Sequence, residues 1–253
     1  MINIKRFIRY SIFLTVFIFI GSINCTQILA SNKINRKTVY LTFQGGPSIN
    51  LTNNIINTLS INDIKATFFV VGDCAKIYPY IIKDLNEKKM CIMPNCNVRD
   101  YKNIYKSEKR YFKDLNKCKD NIKSIIGESK LNFIRLPGGA NSSFCKPNIL
   151  KGLKDKIISD GENYIDWTIS LGSENLKEID SEFIKSKIRE EGGLYNVEVV
   201  NMNDFAGNNA TSESLQWVID FYKERKYKFK TLHEIEEWEM EYLKNINVIN
   251  KIN

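Results

Sequence analysis

The feature that most constrains this chain is an alternation of two kinds of segment that starts at Thr38. Short runs rich in β-branched and aromatic residues take turns with longer stretches whose apolar residues recur every three or four positions. The β-rich runs are Thr38 to Phe43, Ala66 to Val71, Met90 to Met93, Phe133 to Leu136, Tyr164 to Trp167 and Val197 to Met202. Helical spacing is read from about Ser48 to Leu59 and from Lys76 to Glu87, where Ile77, Ile81 and Leu85 recur at four-residue steps. It returns through Phe112, Leu115, Cys118 and Ile122, and again over Asn148–Ile158, Ile179–Glu190 and Ser212–Lys226. Continuous apolar strands separated by helices imply parallel pairing with helices outside, in a barrel or a doubly wound sheet. No short repeat or low-complexity linker divides the pattern, so a single α/β domain is expected. In such folds the chemistry gathers at the carboxyl ends of the strands. That rule brings Gln44–Pro47, Asn95–Arg99, Pro137–Gly139, Trp167-Thr168 and Asn203-Asp204 to one face.

Residues 1–30 stand apart from this pattern. Lys5, Arg6 and Arg9 precede a mostly apolar run from Tyr10 to Ile23, with no acidic residue, and that run is short for a bilayer span. The segment reads as a signal peptide cleaved after Ala30 or, alternatively, as an N-terminal membrane anchor. A linker, residues 31–37, would follow. The expected location is therefore secreted or extracytoplasmic, with membrane contact only through this segment. Losing its three cations would lower the net charge from +8 to about +5. No basic stripe with interleaved aromatics is present, so nucleic acid is not an expected partner. Cleavage would leave five cysteines, Cys74, Cys91, Cys96, Cys118 and Cys145, with no CxxC pair, and these read as buried free thiols.

Taken in order, the five segments resemble the motifs of the NodB-type polysaccharide deacetylases, carbohydrate esterases built on a distorted (β/α) barrel. Thr42 to Pro47 read TFQGGP, where the family reads TFDDGP, and Lys65 to Val70 read KATFFV. Arg135 to Ala140, RLPGGA, are similar to the third motif, and Tyr164 to Trp167, YIDW, to the fourth. Val199 to Asp204, VVNMND, stand where the family places LLHD or LMHD, and Tyr227 to Ile235 resemble the closing strand and helix. The likeness spans residues 38–240 and leaves 241–253 as a C-terminal tail. Ungapped counting from Tyr78-Pro79 sets Asn95 and Arg99 at the two histidines of the second motif. A one-residue shift would instead offer Cys96 and Asp100.

The resemblance implies a hydrolase of non-peptide C–N bonds. In it a divalent metal such as zinc, held by one Asp and two His, polarises the amide while an Asp base and a His acid move protons. At those positions this chain carries Gln44 for the base, Gly45 for the Asp ligand, Asn95 and Arg99 for the His ligands, and Asn203 for the acid. The single histidine, His233, lies outside all five motifs. The expectation is thus a catalytically silent relative with no catalytic residue, no metal ligand and no cofactor. Arg135, Pro137, Asp166 and Trp167 remain as residues lining the cleft mouth by analogy. Arg135 and Asp166, deprived of their usual partners, are expected to contact each other or the amides of Gln44 and Asn203. Cell-wall glycan is the expected partner. The alternatives are an altered hydrolase that uses Cys96 and Asp100, and a structural envelope protein.

Overall fold

The computed structural model describes residues 36–172, 179–205, 207 and 209–251. The proposed signal or anchor lies outside the described residues, and no helix among those described is long and apolar enough to cross a membrane. Contacts gather Thr38–Asn253 into one compact unit.

Its centre is an all-parallel sheet. Strands β1 (Thr38–Gln44), β2 (Thr67–Val71), β3 (Cys91–Cys96), β6 (Ile169–Ser170) and β7 (Val197–Asn203) stand in the order β3-β2-β1-β7-β6. The short β8 (Lys228–Phe229) also pairs with the start of β1, at Thr38 and Val39. A second pair, β4 (Phe133–Ile134) and β5 (Asn163–Tyr164), continues the curve beyond β3, where Arg135 N donates to Pro94 O at 3.3 Å. Beyond β5, Thr168 N reaches Val199 O of β7 at 2.9 Å, and the result is a distorted β/α barrel.

Both faces of β1 are buried, and its residues divide by parity. Val39, Leu41 and Phe43 join the layer under the helices, whereas Tyr40 joins a separate cluster with Phe69, Met93, Phe133 and Val199. Two-sided burial explains why these strands read as continuous apolar runs rather than alternating ones. The helices α1 (Leu51–Ile61), α2 (Gly72–Ile77), α3 (Pro79–Glu87), α4 (Tyr101–Ile104), α5 (Glu108–Ile126), α6 (Pro147–Ser159), α7 (Ser181–Glu191), α8 (Ala210–Glu224) and α9 (Glu237–Asn245) cover the strands. Helix α5 starts where Ser107 accepts a hydrogen bond from Arg110 N, and it buries Tyr111, Leu115, Cys118 and Ile122 along one stripe.

Three segments depart from the sequence expectation. The helix read over Lys76–Glu87 is two helices, because Pro79 forces Tyr78 out of the helical region, to φ −121° and ψ 57°. Ile77 is consequently 64% exposed rather than part of the core stripe. The strand read over Tyr164–Trp167 stops at Tyr164, and Ile165 instead bridges to Ile249 in antiparallel fashion. Residues 241–251, expected as a tail, are part of the packed unit: Leu243, Val248 and Ile249 are buried, and Tyr164 OH donates to Lys251 O at 2.7 Å.

Helix α9 also carries a buried acid. Glu239 accepts from Thr38 Oγ1 at 2.6 Å, Tyr40 OH at 2.7 Å and Lys230 Nζ at 3.0 Å, pinning the helix to the start of β1. Replacing Glu239 by alanine strands two buried hydroxyls and leaves Lys230 with Glu236 alone, and should lower unfolding free energy by about 3 kcal/mol. Urea denaturation checks this; a change under about 0.5 kcal/mol, typical of an inconsequential surface substitution, would contradict it.

Candidate functional site

The carboxyl ends of the strands do converge on one groove, a cavity of about 380 Å³. Gln44 from the end of β1, Asn201 and Asn203 from β7, and Ser170 from β6 supply its polar lining. Trp167, Tyr101 and Phe144 supply aromatic walls, and Arg99 stands at the rim.

Asn201 and Asn203 lie on the same side of β7 because side chains alternate along a strand. Asn201 pairs in register with Thr42 of β1 on one side and with Ser170 of β6 on the other. Gly172 is pressed against Asn203, and a Cβ at Gly172 would lie 2.3 Å from Asn203 Oδ1. Asn203 is 7% exposed, so its amide lies recessed within the groove.

Beneath this floor lies Arg135, fully buried. Its Nη1 donates to Thr42 Oγ1 and Asn201 Oδ1, each at 2.8 Å, and its Nε and Nη2 reach the carbonyls of Ile165 and Asp166 at 3.1 Å. The guanidinium sits 4.2 Å from the Phe69 ring centroid and 5.5 Å from that of Trp167. Burial pulls its pKa down to about 9, and the Asp166 charge pulls the other way. Asp166 Oδ1 is occupied by Ala140 N at 2.9 Å, and desolvation raises that carboxyl above its ordinary value. Both charged groups therefore have polar partners, and they attract each other as expected. Arg135 meets Asp166 only through its backbone carbonyl, and the side-chain amide it engages is Asn201, not Gln44 or Asn203.

Of the four residues expected at the cleft mouth, Trp167 lines the groove. Arg135 is sealed below it, and Pro137 is buried with its carbonyl accepting from Tyr105 OH at 2.8 Å. Asp166 braces the 135–140 turn from behind. Gly138 and Phe144 take the wall positions assigned to Pro137.

The second motif is split in the same way. Asn95 is 3% exposed and spends its Nδ2 on Arg135 O at 2.8 Å. Arg99, four residues on, is exposed, donates to Gly45 O, and lies 5.6 Å from the Phe205 ring centroid. Gly45 adopts φ +91°, where a side chain is strained, and a Cβ there would meet Phe205 Cδ1 at 2.9 Å. Gly46 is tighter still, since a Cβ would come within 2.0 Å of Asp204 Oδ2. Asp204 itself is buried, accepts from Thr52 Oγ1 at 2.7 Å, and is pushed up to about 8 by desolvation. The alternative ligands are not brought together. Cys96 is buried with its thiol raised well above its usual value by desolvation, whereas Asp100 is exposed and caps α4 through Asn103 N. His233 is exposed in the 232–234 turn, its Nε2 3.2 Å from Lys130 O. The five described cysteines are free, four of them buried.

A sequence profile of the family described as "Polysaccharide deacetylase" matches residues 31–151. The peptidoglycan-N-acetylglucosamine deacetylase of Bacillus cereus is 28% identical over 207 residues, covering 80% of this chain and 72% of that protein. The catalytic domain of the peptidoglycan N-acetylglucosamine deacetylase of Eubacterium rectale superposes with a TM-score of 0.71 at 28% identity, over 78% of this chain and 89% of that one. In sequence and in fold the chain is similar to the polysaccharide deacetylases. A CE4 family pseudoenzyme from Bacillus anthracis shares the fold at a TM-score of 0.64 and 21% identity, over 79% of this chain and 65% of its own.

This likeness corrects the expectation of a chain without a cofactor, because the polysaccharide deacetylases it resembles use a divalent metal. The positions to which the resemblance assigns the ion do not fit it in this deacetylase homologue. Gly45 has no side chain, the Asn95 amide is committed to Arg135 O, and Arg99 places a fixed cation there. Among the described residues no group of three or more His, Cys, Asp or Glu could hold a metal ion. No chemical step is therefore routed through an ion at these positions.

Asn201, Phe205, Tyr101 and Phe144 are site residues that the motif reading passes over. Asn201 carried a signal, as a polar residue two positions before Asn203 in the strand, hence on the same face. The aromatic walls come from loops and, for Tyr101, from the start of the single-turn α4, where no period marks them.

Proposed function

We propose that this chain is an exported, non-catalytic homologue of the polysaccharide deacetylases that binds cell-wall glycan. The observation that carries the reading is the pair of amides, Gln44 and Asn203, lining the groove where the resemblance places the catalytic base and acid. Neither titrates, and removal of one cooperating proton-transfer group alone costs roughly 10²–10⁴-fold in rate. The groove itself persists beside them: Trp167 offers an indole face for a sugar ring, and the amides offer both donors and acceptors. Export is supported by the Lys5-Arg6-Arg9 cluster and the apolar run behind it, and by relatives named for peptidoglycan. The altered-hydrolase reading loses support from the separation of buried Cys96 and exposed Asp100.

Two measurements test the proposal. With N-acetylglucosamine oligomers and a divalent metal supplied, acetate release should stay at the uncatalysed background; multiple turnovers would refute the silent reading. In a pull-down on insoluble peptidoglycan, the wild type should be retained and Trp167→Ala should lose about tenfold in affinity, the value of one lost stacking contact of ~1.4 kcal/mol. No retention of the wild type would leave the structural-envelope role in place of glycan binding.

A further inference from the structure

Arg99 occupies the seam between two cavities. One is the groove already described; the other, of about 280 Å³, adjoins it past Pro47, Ser48, Ile77 and Tyr78. The guanidinium is held in place by its bond to Gly45 O and by the Phe205 ring, yet it forms no ion pair with a described residue. Its neighbouring acids are both occupied. Asp204 is buried under Gly46 and held by Thr52, and Asp100 caps Asn103 N. An arginine carries five N–H donors in a planar fork suited to a carboxylate, and the contact with Gly45 O uses one of them.

A second unspent donor lies in the same groove. Asn201 is 1% exposed, its Oδ1 is taken by Arg135, and its Nδ2 has no hydrogen-bond partner among the described residues. A buried amide NH₂ left without an acceptor is costly, and a groove-lining one is satisfied when a ligand oxygen arrives. The groove thus combines an aromatic wall at Trp167, an orphan neutral donor at Asn201 and a pre-positioned cation at Arg99.

We propose that the groove selects glycan whose sugar carries a carboxylate, with Arg99 as the anion anchor at the junction of the two cavities and Asn201 Nδ2 as donor to a neutral sugar oxygen. The inference rests on the glycan-binding reading and adds to it a charge specificity and the residue that sets it. A neutral chitin-like polymer would satisfy Trp167 and Asn201 but leave Arg99 unpaired.

The test compares three tetrasaccharides by titration calorimetry on the full chain. They are an N-acetylglucosamine tetramer, a tetramer alternating N-acetylglucosamine with N-acetylmuramic acid, and the second with its carboxylates reduced to alcohols. The carboxylated tetramer should bind about tenfold or more tightly than its reduced form, as one charge-assisted bidentate contact provides, and the preference should shrink with added salt. Arg99→Ala should equalise the two, and Arg99→Lys should keep part of the preference. Arg99 is exposed, and unchanged circular dichroism would show that its replacement spares the fold. Equal wild-type affinity for all three sugars, or a preference that survives Arg99→Ala, overturns the anion anchor while glycan binding stands. Failure to bind any of them overturns both.

Discussion

Replacing Arg135 by alanine should lower the unfolding free energy by about 4 kcal/mol, the largest loss expected from any single truncation in the molecule. The side chain is fully buried and bonds to Thr42, Asn201 and two main-chain carbonyls while stacking on Phe69. Alanine removes the donors from those acceptors together and opens a void beneath the groove. The two penalties combine because the surrounding strands cannot collapse onto it. Arg135→Lys should recover less than half of the loss, since one ammonium cannot span acceptors on β1, β7 and the 165–166 segment. Equilibrium unfolding in urea measures both, and an alanine midpoint close to the wild type would show that Arg135 is dispensable to the barrel.

The second large effect is on pH. Asp204 is buried and its carboxyl is raised from 3.8 to about 8 by desolvation, against the opposing pull of the Thr52 hydrogen bond and Arg99. Its folded pKa exceeds the unfolded one, so between these values the folded chain holds a proton that the unfolded chain releases. The stabilisation is complete below about pH 4 and declines as pH rises through the folded value, after which it is flat. The slope in that window approaches ~1.4 kcal/mol per pH unit. Asp204→Asn keeps the shape and cannot ionise, so the stability difference, variant minus wild type, should grow by about 1 kcal/mol per unit from pH 5 to pH 8. Urea unfolding at pH 5, 6.5 and 8 gives that difference free of the other carboxylates, whose contributions cancel between the two proteins. A difference constant across the range would mean that Asp204 stays ionised in its pocket.

The architecture was legible because burial on both faces leaves a mark on composition. Ala66–Val71 and Val197–Met202 read as central strands and are. The positions of Gln44 and Asn203 were equally legible, since a residue ending a parallel strand must face the groove. What the residues could not announce was depth. Arg135 and Trp167 come from neighbouring segments and were both expected at the mouth, yet one lies sealed below the floor and the other forms the wall. Which of two adjacent polar groups is covered depends on loops far away in sequence, here the turn bearing Gly138 and Phe144. The tail was misjudged for a related reason. Leu243, Val248 and Ile249 form too short and irregular a pattern to read as packed, and the bridge from Ile165 to Ile249 with the bond from Asp166 N to Val248 O shows what they cover.

The fit of Phe205 against Gly45 bears on how this lineage can change. With a ring 2.9 Å from where a Cβ would stand, and a backbone turned to φ +91°, position 45 accepts an acidic side chain only after the ring has moved and the turn has been rewound. An aspartate introduced at position 45 alone should therefore destabilise the fold. Positions 45 and 205 are thus coupled, and a side chain at the first calls for a smaller one at the second.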